Sequence, residues 1–195
     1  MRGIIRQALE DGMALRAQCM QTLPGPLAEA AGIIADALAQ GGKVLACGNG
    51  GSAADAQHFA GELVNRFETN RRGLAAIAMT HDASVITSIA NDFSFDQIYA
   101  RQIEALGRAG DVLLAISTSG NSPNVLRAVE QAQRQSMSVV ALTGKHGGSL
   151  RNHPAVRVAL HIEHPSTPRI QEMHITCLHI LCSLIDRLLF GGESS

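Results

Sequence analysis

His58 and Glu62 stand four residues apart, a short way after the stretch Cys47-Gly48-Asn49-Gly50-Gly51-Ser52. An imidazole and a carboxylate at i and i+4 share one helix face, where they can hold a metal or move a proton. Such a pair is commonly no more than an ordinary surface pair. The glycines ahead of it change its weight, because they let backbone approach a ligand closely and the helix start presents N–H groups to an anion. A phosphate held there would place the reactive end of its sugar within reach of His58 and Glu62.

The glycine turn alone fits several ligands. Gly48-Asn49-Gly50-Gly51-Ser52-Ala53 satisfies the spacing of a dinucleotide turn, yet Met79-Thr80 stand where a ribose-binding acid belongs, and no Lys-Ser/Thr follows as in a Walker loop. Ser52 and Asp55 also read as a capping box, with Ser52 free to serve as both cap and phosphate ligand. A second loop decides between these readings. Ser117-Thr118-Ser119-Gly120-Asn121-Ser122-Pro123 places four hydroxyls ahead of a Pro suited to the first helical position, with Ser122 as the cap. A Ser/Thr-rich turn is often just a capped loop, but two such loops after two strands of one sheet suit a phosphate monoester, whereas a dinucleotide fold needs only one.

Two further groups carry candidate chemistry. Asn91-Asp92 offers an amide and a carboxylate for sugar hydroxyls, against a plain reading as a helix C-terminal turn. The last helix supplies Gln171, Glu172, His174 and His179. Gln171 and His179 lie about 80° apart around the axis and about 12 Å apart along it, so one straight helix barely brings both to one atom. Either long side chains converge from opposite ends, or different subunits supply them. His174 reads as a satisfied interface histidine.

Five apolar stretches are expected to be strands: Val44–Cys47, Leu74–Met79, Val112–Ile116, Ser138–Thr143 and Val156–His161. Helical stretches at Ser52–Val64, Asp82–Ala90, Asp96–Leu106 and Pro123–Gln135 alternate with them. Strands apolar nearly throughout, separated by helices, predict an α/β fold with a five-stranded parallel sheet covered on both faces, its ligands beyond the carboxyl ends of the strands. Two helices precede the sheet, over residues 3–20 and Leu27–Gln40, divided by Leu23-Pro24-Gly25-Pro26. The last helix, Pro168–Leu189, is apolar almost all round and is expected to be buried all round in an oligomer. Residues 1–195 are expected to form one domain, with 1–42 as the helical pair and 43–195 as the core.

Charge is nearly balanced, with 16 Lys+Arg against 17 Asp+Glu, which points to neither nucleic acid nor an anionic membrane. One Tyr, five Phe and no Trp leave little for base stacking. Cys19, Cys47, Cys177 and Cys182 form no C-x-x-C pair and read as buried, reduced thiols. The N-terminus is too broken by charge for a signal sequence, and no apolar run approaches a bilayer span. A soluble, cytoplasmic chain is expected.

Taken together, these motifs resemble the sugar isomerase (SIS) domain family, in its branch that acts on phosphorylated heptoses. The resemblance rests on Cys47–Ser52, Gln57-His58-Phe59-Ala60 with Glu62, Asn91-Asp92, Gly110–Ser122, Leu142-Thr143-Gly144, and Arg169–His174 with His179. It implies interconversion of sedoheptulose 7-phosphate and D-glycero-D-manno-heptose 7-phosphate through an enediol, feeding bacterial lipopolysaccharide, by a homotetramer with sites at subunit contacts. It implies Glu62 and His179 as the catalytic pair, with Glu62 the base. It assigns His58, Glu62, Gln171 and His179 to one zinc ion; because a Glu held on zinc is a weaker base, the metal is expected to be weakly held or to share Glu62 with substrate. Asn49, Gly50, Gly51, Ser52, Asn91, Asp92, Ser117, Thr118, Ser119, Ser122 and Gln171, with Glu62, match substrate contacts. A relative of the same fold instead regulates replication by binding the replication initiator. Asn65–Thr69 and Arg169–His174 resemble that relative too, but it lacks the equivalents of Glu62 and His179.

Overall fold

A computed structural model describes residues 1–191 of the chain. Helices α1 (Arg2–Thr22) and α2 (Pro24–Ala39) precede β1 (Val44–Gly48) and α3 (Gly51–Val64). Then come β2 (Ala76–Ala78), α4 (Ala83–Asp92), a 3-10 turn (Phe95–Gln97), α5 (Ile98–Leu106), β3 (Val112–Ser117) and α6 (Pro123–Arg134). The chain continues through β4 (Ser138–Gly144), α7 (Gly148–Arg151), β5 (Val156–Ile162) and α8 (Thr167–Phe190). The five strands form one parallel sheet in the order β2-β1-β3-β4-β5.

The central strands β1, β3 and β4 are buried almost throughout because both faces are covered, whereas the edge strand β5 alternates, with Arg157 exposed. Val44, Ala46, Val112, Leu114 and Ile116 point into a core shared with α2, α3 and α8. Leu45, Cys47, Leu113 and Ala115 point into a second core with α5 and α6. All four cysteines are free and buried, and burial pushes the Cys47 thiol up to about 12, so it packs as a small apolar group.

Several expectations need correction. The chain breaks between the two helices as expected, but at Leu23 alone, and Pro24 and Pro26 already belong to the first turn of α2, which has no use for the missing N–H. β2 spans three residues instead of six, since it pairs with β1 only over Ala76–Ala78. The helix expected from Asp96 starts as the 3-10 turn. The short helix α7 was hidden behind Gly147 and Gly148, both with positive φ.

Within the single chain, α8 sends Ile170, Cys177, Leu181 and Ile185 into the core and leaves Ile180, Leu188 and Phe190 exposed. It is also long and apolar enough by length and composition to cross a membrane, contrary to expectation, yet its buried face is part of the sheet's own core. On α1, Leu15 and Cys19 are buried, but Ile4 and Leu9 are 76% and 66% exposed.

The fold sets the site by topology. β1 leads to β2 on one side and has β3 on the other, so the gap between β1 and β3 is where the chain's direction of winding reverses. Ligands enter such sheets there, past the carboxyl ends of the strands. Gly48 of β1 pairs in register with Ile116 of β3, which brings the glycine turn and the hydroxyl loop side by side.

Candidate active site

The first loop turns on Gly48 and Gly50. A Cβ on Gly48 would lie 2.6 Å from the Ser52 carbonyl oxygen, and Gly50 holds φ +57°. Gly50, not Ser52, is the N-cap of α3, and no side chain caps it. The capping box is therefore absent. Ser52 is buried beneath Gly48, and its N–H is taken by the Asn49 carbonyl at 3.0 Å, as that of Ala53 is by Gly50. The first loop thus spends on itself several of the N–H groups expected to meet an anion.

Asp55, freed of the capping role, has one carboxylate oxygen buried without a hydrogen-bond partner. Burial pushes its carboxyl above the usual range, while His58, one turn on, pulls the other way.

The second loop gathers its hydroxyls at one place. The Ser117 Oγ lies 2.9 Å from the Ser122 Oγ and 3.4 Å from the Ser119 Oγ. Ser122 occupies the N-cap position of α6, with Pro123 following, but its hydroxyl makes no cap bond. Gly120 has φ +67°, and a Cβ there would lie 1.8 Å from the Gly147 carbonyl oxygen, so only glycine closes the loop onto α7. The N–H of Gly120 donates to the Ser117 Oγ at 3.1 Å, and that of Asn121 to the Ser119 Oγ at 3.1 Å. Thr118, beside them, is half-buried.

Two residues not singled out from the sequence tie the loops together. Asn124, buried at the start of α6, exchanges two amide bonds of 2.8 Å with Asn49. The Tyr99 hydroxyl donates to the Gly48 carbonyl at 2.5 Å. Asn49, expected to touch substrate, therefore has its side chain engaged by protein. The clue in the sequence was the lone Tyr, whose hydroxyl needs a partner when buried.

α3 and α8 carry the remaining candidates. Glu62 Oε1 is 3.1 Å from His58 Nε2, and His179 Nε2 is 3.2 Å from the same nitrogen. The His58 and His179 rings sit 5.0 Å apart between centroids, and Phe67 packs on His179 at 5.6 Å. The side chains of His58 and Glu62 are 44% and 27% exposed, so the cluster opens to solvent. At the other end of the two helices the Gln171 amide lies against Gly51, where a Cβ would be 2.5 Å from its Nε2. Seven residues separate Gly51 from His58 and eight separate Gln171 from His179, so α3 and α8 run parallel with about 10–12 Å between the two ends.

The set assigned to zinc therefore divides within one chain: His58, Glu62 and His179 meet, and Gln171 does not join them. A single His58 Nε2 faces both other donors, and it cannot give one proton to Glu62 and also offer a lone pair to His179. A cation among them would resolve that conflict. The two separations are close to the donor–donor edge of about 3.3 Å that tetrahedral bonds of about 2.0–2.1 Å require. The donors nonetheless form a chain centred on His58, and among the described residues no three His, Cys, Asp or Glu close into a ready-made cage.

Asn91 and Asp92 are exposed at the end of α4, where the Asn91 amide donates to Asp92 at 2.9 Å. The structure does not bond them to either loop. His174 is a core residue rather than an interface one, wholly buried with Nε2 3.1 Å from the Thr143 carbonyl and Nδ1 without a partner.

Known proteins match this arrangement closely. The SIS domain family matches residues 9–144. A phosphoheptose isomerase from Bordetella avium is 57% identical over 182 residues, covering 93% of this chain and 92% of its own. One from Thiobacillus denitrificans is 58% identical over 166 residues, 85% of this chain and 84% of its own. Among solved structures, the phosphoheptose isomerase of Neisseria gonorrhoeae superposes with a TM-score of 0.89 at 44% identity, covering 95% of this chain and 98% of that one. That of Francisella tularensis gives 0.91 at 42%, covering 95% and 97%. With a glycine turn and a hydroxyl loop side by side at the switch point of a five-stranded parallel sheet, and these relatives over nearly its whole length, the chain belongs to the SIS domain family.

Proposed function

We propose that the chain interconverts D-sedoheptulose 7-phosphate and D-glycero-D-manno-heptose 7-phosphate, an aldose–ketose isomerisation that supplies heptose for lipopolysaccharide. One observation carries the reading: Glu62 and His179 flank His58 about 10–12 Å along α3 and α8 from the loops. That span suits an extended heptose with its phosphate on the loops and its C1–C2 end at the cluster. The relatives' names support the same reaction.

The phosphate lies against the hydroxyls of Ser117, Ser119 and Ser122, with Thr118 beside them and the Gly50-Gly51 turn as the opposite wall. Gln171, packed on that turn, faces the sugar. Glu62 removes the proton from the carbon next to the carbonyl, and His179 gives or takes the proton on the neighbouring oxygen. Returning the proton to the adjacent carbon completes the isomerisation, so no redox partner is consumed.

Zinc suits the donor set of His58, Glu62 and His179, and when bound it would polarise the sugar's carbonyl and hydroxyl oxygens as a Lewis acid. Gln171 of a neighbouring copy or a substrate oxygen would fill a further position. A homotetramer provides such copies, and the bare apolar side of α1 and the exposed Leu188 and Ile180 of α8 support burial against them. We read the chain as a cytoplasmic enzyme.

The test is incubation with sedoheptulose 7-phosphate, with and without a chelator, following the aldose by NMR. Aldose formation is expected. Its absence in protein reconstituted with zinc would overturn the reading.

A further inference from the structure

We propose that Arg71 and Asp186 act as a positioning pair that sets the spacing of Glu62 and His179. It rests on the reading of those two residues as the acid–base pair. Arg71 lies in the connection between α3 and β2, with 2% of its side chain exposed, and Asp186 on α8 is 9% exposed. The Arg71 Nε donates to Asp186 Oδ1 at 2.7 Å. Its Nη2 donates to the Glu62 carbonyl at 2.9 Å and its Nη1 to the Leu63 carbonyl at 2.8 Å. Nη1 also lies 3.1 Å from the Arg72 carbonyl.

One rigid guanidinium thus holds the last carbonyls of α3, including that of Glu62 itself, and reaches α8 with its remaining edge. The free carbonyls at a helix C-terminus carry partial negative charge, which a cation offsets. Asp186 is seven residues beyond His179, two turns along α8 on nearly the same face. The proton-abstracting group therefore stands on the helix end that the guanidinium holds, and its partner stands two turns before Asp186 on the helix that the same ion pair anchors. The Phe190 ring closes the outside, 6.0 Å from Arg71 Cζ and 5.9 Å from Arg72 Cζ.

Stability alone does not explain such a pair. Removing two charges from water offsets most of their attraction, and apolar residues of similar volume commonly fold as well or better. What an apolar contact lacks is direction and a fixed length. The planar fork supplies both, at the one place where α3 and α8 must keep two side chains in register.

The test compares Asp186→Asn, Arg71→Lys and the double variant Arg71→Met/Asp186→Leu with two controls. Asp111→Asn breaks a partly buried ion pair with Lys43 at the opposite ends of the strands, and Glu62→Gln removes the base. Active sites are counted by calorimetric titration with sugar phosphate, well below each melting temperature. Misplacement of reacting groups by about 1 Å costs up to about 100-fold, so kcat per bound site should fall about 10- to 100-fold with KM within about twofold. Arg71→Lys should recover part of what the double variant loses, and Asp111→Asn should lower melting temperature while keeping kcat. Wild-type kcat per bound site in Asp186→Asn and the double variant would overturn the pair's role. Turnover retained in Glu62→Gln would instead overturn the acid–base reading beneath it.

Discussion

Asn49 and Asn124 exchange two amide hydrogen bonds of 2.8 Å, one in each direction, across the gap between the glycine turn and the hydroxyl loop. Each side chain satisfies the other, and Asn49 Oδ1 also lies 3.4 Å from the Tyr99 hydroxyl. The residues are 75 apart in sequence, so the pair fixes how far β1's loop stands from the start of α6. A ligand gripped by both loops feels that distance directly.

Asn124→Ala should therefore weaken substrate binding although Asn124 is buried. The variant leaves the Asn49 amide without its partner, which costs about 1–3 kcal/mol of stability. KM should rise several-fold while kcat changes less. Steady-state kinetics beside thermal melts check this, and an unchanged KM in a destabilised protein would show the loops to be placed by other contacts.

The hydroxyls of Ser119 and Ser122 lie around the Ser117 Oγ with no helix cap to serve. Ser119→Ala and Ser122→Ala should each raise KM by about 10- to 100-fold and the double variant by more than either, since a hydrogen bond to a charged group contributes about 1.5–3 kcal/mol. If kcat alone fell, the phosphate would have to sit elsewhere.

Glu62→Gln keeps the shape of the side chain and removes its basicity. Exchange of the C1/C2 hydrogens with solvent deuterium should drop by at least about 100-fold, the lower range for a lost general base. Binding of the sugar phosphate, followed by calorimetry, should persist. Loss of binding with exchange rate intact at saturation would reassign Glu62 to holding substrate.

Much of this was legible in the sequence, for a physical reason in each case. The strands could be placed because parallel strands buried on both faces are apolar without alternation, as Val112–Ser117 is. The separation of Gln171 from His179 followed from helix rise alone. The meeting of His179 with His58 did not, because 121 residues separate them and the relative placement of α3 and α8 is a matter of packing. Ser52 and Asp55 misled because a capping box needs Ser at the N-cap, and Gly50 had already taken that place through its positive φ. Arg71 was invisible beside Arg72. Only burial distinguishes the two, although an acid inside so apolar a helix as α8 was a signal that Asp186 had a cation to meet.

His174 makes stability depend on pH in a direction opposite to that of a salt-bridged histidine. Burial pulls its ring down to about 4, while the Nε2 bond to the Thr143 carbonyl opposes the shift. Above about pH 6.5 the ring is neutral in both folded and unfolded chains, and its contribution is fully present. As pH falls from about 6.5 to about 4, the unfolded chain takes up a proton that the folded chain refuses, so stability falls with pH by up to about 3 kcal/mol. His174→Gln should flatten that slope, because the amide can still donate to Thr143 but does not titrate. Urea melts of both proteins between pH 4.5 and 7.5 measure the difference, and parallel slopes would mean that other groups carry the acid sensitivity.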